Sequence, residues 1–141
     1  MLDRSQGGGA DDKGKGAKPE AKEPAPNHKV QALLKERLAI LKEMQNRAEK
    51  LYQTGQVSKG ELLQINLRVL KAELDLCETD KERVAVHEKV VAVLKAIEQQ
   101  AEELARRRAA DAGILLEARL NRLEGEIALE RARAKSVTPS K

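Results

Sequence analysis

Phenylalanine and tryptophan are absent from the 141-residue chain, and Tyr52 is its single aromatic residue. A compact globule of this size ordinarily takes much of its burial from aromatic side chains, each removing about 150–250 Å² from water. The core here must therefore be aliphatic. Leu, Ile, Val and Ala fill narrow seams between helices, which favours elongated helix pairs over a globule. Cysteine is also scarce. Cys77 stands alone, which excludes an intrachain disulfide and a cysteine-built metal site and leaves it the role of a small buried hydrophobe. Long apolar runs are missing as well: no stretch of about 18 apolar residues occurs, and residues 1–29 hold no secretory h-region. Membrane insertion is not expected, and the sequence reads as soluble, with no visible export signal.

Charge of one sign is not in large excess. Lys and Arg number 27 against 23 Asp and Glu, giving a net charge of +4 with the signs interleaved. Arg106, Arg107 and Arg108 form the densest basic run, and a basic scaffold for nucleic acid or an anionic surface would rest on them. Adjacent helical residues point in different directions, however, so the run reads first as a solvated face. Catalysis has little to build with. There is no strand pattern, no glycine motif for a nucleotide, and no concentration of Ser, His and Asp, so no catalytic, cofactor or metal residues are assigned. A carboxylate-bridged metal centre would need Glu-x-x-His pairs, and none is present. His87 reads as a partly buried or interface histidine.

What is present is helix-forming sequence with apolar residues three and four apart. Residues 1–28 contain three consecutive glycines and three of the four prolines, and they are expected to be a disordered tail or linker. From Lys29 the texture changes. The first helix is expected over about 29–54, with Leu34, Leu41, Met44, Ala48 and Leu51 on one stripe, ending at Gly55, a residue suited to the left-handed position after a helix. Ser58 and Glu61 form a capping box, with Val57 and Leu62 as its staple. The helix after it continues through Leu63, Leu67, Leu70, Leu74 and Cys77, a coiled-coil-like spacing. Helices joined by so short a turn lie antiparallel, which makes 29–78 a first hairpin.

Thr79 and Glu82 form a second capping box. The third helix then carries His87, Val90, Leu94, Ile97, Ala101 and Leu104. Asp111 is placed to cap a fourth helix with the seam Leu116, Leu120, Leu123 and Ile127. Residues 79–135 make a second hairpin, and 136–141 are expected to fray. The halves align as two tandem repeats of about 53 residues: Leu41 falls on Leu94, Lys42 on Lys95, Ala48 on Ala101, Gly60 on Gly113, Leu67 on Leu120, Leu70 on Leu123 and Glu73 on Glu126. In the second copy Gly55 becomes Arg108 and Glu61 becomes Ile114. The pattern there also suits one continuous helix over about 80–134, some 80 Å long at about 1.5 Å per residue.

The stretch from Arg47 to Cys77 resembles the periplasmic helical region of the TolC-like outer-membrane efflux proteins, with Tyr52, Gly55, Ser58, Glu61 and Leu62 at the positions that mark a hairpin turn in that family. The resemblance implies a duplicated helical unit, a periplasmic or envelope location, and hairpin tips that contact a periplasmic adaptor protein in a trimeric efflux conduit. It covers about residues 35–135 and lacks the strands that complete a membrane barrel. The combined expectation is an all-α, non-enzymatic interaction module, with a helical protein or a second copy of itself as partner.

Overall fold

The computed structural model describes residues 24–137, with side chains from residue 27 onward. Among the described residues there are four helices and no strand: α1 Pro24–Gln53, α2 Lys59–Leu74, α3 Asp80–Arg106 and α4 Ala112–Val137. The all-helical class expected from the composition is the class the chain adopts. Two boundaries differ from expectation. Residues 24–28, expected in the tail, open α1, because the first-turn amides of a helix have no intrahelical acceptor and proline loses nothing there. The rest of the expected tail, residues 1–23, lies outside the described residues. At the other end, Ser136 and Val137 continue α4, while residues 138–141 are not described.

Two units are distinguished, Met1–Lys35 and Glu36–Lys141. In the second, α1 and α2 run antiparallel, since Arg37 pairs with Asp75 at 2.6 Å, Lys42 with Glu73 at 3.9 Å, and Gln45 donates to Asn66 at 2.8 Å. Leu41, Val69 and Ala72 are buried together between them, with Leu38 packed alongside. α2 then packs on α3 through Leu67 and Leu70, which meet Val86, Val90, Val93, Leu94 and Ile97. α3 in turn packs on α4, again antiparallel, through Glu98 with Arg122 at 2.7 Å, Lys95 with Glu126 at 3.9 Å and Glu88 with Arg133 at 3.2 Å. α3 thus has a neighbour on each side, as α2 does. Leu94 shows this most directly, for it joins the cluster with Leu67 of α2 and also lies against Gly125 of α4.

The connections are fixed by caps. Ser58 and Glu61 make the reciprocal capping box that starts α2, and Thr79 and Glu82 make the one that starts α3. α2 itself ends at Leu74. The amides of Leu76 and Cys77 reach back only three residues, to Glu73 and Leu74, so Cys77 sits in the connection and not on the helical seam. The chain also breaks between Arg106 and Ala112, so a continuous helix over 80–134 does not form. Asp111 accepts from the Gly113 amide at 3.2 Å, and its carboxylate satisfies one orphan donor of α4.

Candidate interaction surfaces

Four surfaces bear on function. The first is on α4. Its contact with α3 is made by Ala118 and Leu129, which are 5% and 6% exposed, by Gly125, and by the ion-paired Arg122. Leu116, Leu120, Leu123 and Ile127 lie on the opposite side and are 62%, 49%, 47% and 50% exposed. At about 100° per residue these four fall within one narrow stripe, half a turn from the face that meets α3. The seam read from the sequence therefore lies on a stripe that nothing among the described residues buries. The helix packs instead by its small residues. A Cβ added at Gly125 would stand 2.5 Å from Leu94 Cδ1, so glycine there permits the contact. Met44 departs in the same way: expected beside Leu41 and Ala48, it is exposed, as is Ile40, and the two share an outer patch of α1 with Glu43, Asn46, Arg47 and Lys50.

The second surface is the end of the molecule where α1 turns into α2. Gly55 has φ +79°, its amide bonds Tyr52 O at 3.0 Å, and the Gln56 amide bonds Leu51 O at 2.7 Å. This is a Schellman cap. Arg108 has φ 57°, and the same two bonds recur after α3, from Arg108 to Ala105 O at 3.0 Å and from Ala109 to Leu104 O at 2.8 Å. The left-handed position is therefore kept without its glycine. Tyr52, Ser58 and Glu61 are exposed around the first turn, and Val57 and Leu62 are half-buried.

Third, an open groove of about 670 Å³ lies over α3 between α2 and α4 at this end, with Val57, Ile65, Ile97, Leu104 and Ile114 among its lining. Toward the other end Gln64 and Asn121 continue it to His87. Burial holds the His87 imidazole toward its neutral form. Leu67 of the α2 seam is buried, whereas Leu63, Leu70 and Leu74 are half-buried, so the second helix turns its seam inward, while Leu116, Leu120 and Leu123 of the fourth face outward.

The fourth surface is electrostatic. Glu98 receives Arg122 at 2.7 Å and approaches Arg119 at 3.8 Å, and the Arg122 hydrogen bond draws its carboxyl below the usual range. In the basic run, Arg106 and Arg107 both pair with Glu103, at 2.9 and 3.7 Å, which reduces the charge they offer to a phosphate. Burial raises the Cys77 thiol above its ordinary value, which favours its protonated form. Among the described residues no group of His, Cys, Asp or Glu is placed to hold a metal ion, and no helix is long and apolar enough to cross a membrane. Comparison with protein-family models, curated proteins and solved structures finds no match to this chain.

Proposed function

We propose that the chain is a non-enzymatic helical interaction module that docks a helical partner along the stripe Leu116, Leu120, Leu123 and Ile127 of α4. The observation that carries the reading is the exposure of four large aliphatic side chains in one coiled-coil register, opposite the face that packs on α3. A duplicated origin of the two halves supports it. The pairs Lys42–Glu73 and Lys95–Glu126, each at 3.9 Å, occupy equivalent places after a shift of about 53 residues, and the two Schellman caps coincide in the same register. Leu67 and Leu70 of α2 bury themselves on a neighbouring helix, and their counterparts Leu120 and Leu123 await one.

Photocrosslinking in the cell tests the proposal. A benzophenone side chain at position 120 or 123 should give a discrete protein adduct, while the same group at exposed Lys89 should not. Equal or absent crosslinking at all three positions would remove the reading.

A second reading, that the module works in an envelope transport assembly, is favoured by the tip itself. Tyr52, Gly55, Ser58 and Glu61, whose spacing carries the resemblance to TolC-like hairpins, combine a left-handed stop with a full capping box. It predicts a periplasmic location and binding to an adaptor hairpin that Gly55→Asp or Leu62→Asp weakens. A cytoplasmic location would exclude it.

A further inference from the structure

We infer that the stripe on α4 is covered by the outer face of α1 from a second copy of this chain, joined head to tail by a repetition of the contact that α2 makes with α3. The inference rests on the interaction-module reading and names its partner.

Inside the chain, α2 offers Leu67 and Leu70, and α3 receives them with Val90, Val93, Leu94 and Ile97. The same offering face recurs on α4 as Leu120 and Leu123, which nothing among the described residues covers. The receiving face recurs on α1, where Ile40 stands for Val93 and Met44 for Ile97, and these are 51% and 37% exposed. Both halves of one interface are thus present on a single chain, each without its complement. Two such faces on different parts of one molecule define a heterologous contact between copies.

Carrying over the internal register sets the pairing. Leu67 clusters with Leu94 and Val90, whose places on α1 are taken by Leu41 and Arg37, so Leu120 comes to lie at the level of Arg37 to Leu41, beside Ile40, and Leu116 falls level with Met44. Gly60 faces Gln100 across the internal interface, and the equivalent positions are Gly113 and Arg47. The polar residues Gln64 and Gln100 that line that interface become Glu117 and Arg47, opposite charges that make no ion pair among the described residues. Where α3 has Val90, α1 has Arg37, already bound to Asp75; the repeated contact is less apolar than the original and should be reversible. Pairing of two α4 stripes with each other would leave Ile40 and Met44 bare, and in the antiparallel sense it would set Glu117 against Glu124.

Complementation of two defective faces tests the proposal on the full chain. Wild-type protein should gain mass with concentration in sedimentation. Leu120→Glu and Met44→Glu each alter an exposed residue, so circular dichroism should find both fully helical, and each should weaken association by more than about thirtyfold, the scale of a central interface residue. Mixed together, they should form a species of one copy of each, because one retains a working α1 face and the other a working α4 face. Glu117→Arg and Arg47→Glu should each weaken association, and the doubly reversed chain should recover most of it. A Met44→Glu protein that associates like wild type, a mixture that stays monomeric, or a wild-type chain that is monomeric throughout would overturn the inference. Crosslinking from position 120 to a different protein, with the purified chain monomeric, would overturn self-association while leaving the docking reading in place.

Discussion

The pairs α1–α2 and α3–α4 use the same register for different chemistry. At the middle of the first, Leu41 meets Val69 and Ala72, an all-apolar layer. In the second, Leu94 occupies the place of Leu41, Gly125 that of Ala72, and Arg122, bound to Glu98, that of Val69. The second layer is more polar because Leu94 takes its remaining apolar contacts from α2, on the other side of α3.

Leu94→Ala is the largest break in this comparison. Truncation of a buried leucine costs about 2–5 kcal/mol. Chemical denaturation should put Leu94→Ala near the top of that range, because it removes contacts to α2 and α4 together, and Leu41→Ala nearer the bottom. Exchange of the small residues comes next. Gly125→Ala gains about 1 kcal/mol of helix propensity but drives a methyl into Leu94, an overpacking cost of about 1–3 kcal/mol. It should lower stability by about 1 kcal/mol, where Gly to Ala in an exposed helix raises it.

The two turns give the third test. Gly55 and Arg108 hold the same left-handed conformation, which costs a residue with a Cβ about 1 kcal/mol. Thermal melting should find Gly55→Ala destabilised and Arg108→Gly stabilised by about that amount. The smallest effects depend on pH. The Glu98 carboxyl lies below its usual range in the folded chain, so it adds stability that is present above the unfolded value near 4.3 and lost as pH falls through the folded one. Glu98→Gln should remove that loss. His87 is also lowered, so its protonation opposes folding: stability is full above the unfolded value near 6.5 and declines below it. His87→Leu should flatten that decline below about pH 6.5.

The caps were legible in the sequence because they are local: Ser58 with Glu61, Thr79 with Glu82, and Gly55 each act within one turn of chain. The inward stripe of α3 was legible for a related reason, since Val90, Leu94, Ile97 and Ala101 recur three and four residues apart, although the buried Val91 lies beside that stripe. α4 was not, because its apolar residues form two stripes on opposite faces, and periodicity alone does not say which one meets a neighbour. The stripe of Leu116, Leu120 and Leu123 suggests the core, whereas close approach selects Ala118 and Gly125, with Leu129 buried beside them. Arg108 escaped notice because nothing in an arginine announces a left-handed backbone; only its alignment with Gly55 points to it.

The placement of α3 bears on how the chain can be divided. The stretch from Glu36 onward holds together as one unit, although the sequence repeat divides at Glu78 and Thr79. Cutting there would strip Leu67 and Leu70 from α3 and leave Val90, Val93 and Ile97 in water, so neither excised half would carry a complete hydrophobic seam. The repeat proposed from the sequence is shorter than the stretch that folds, and a truncated first half would survive only while something else took the place of α3.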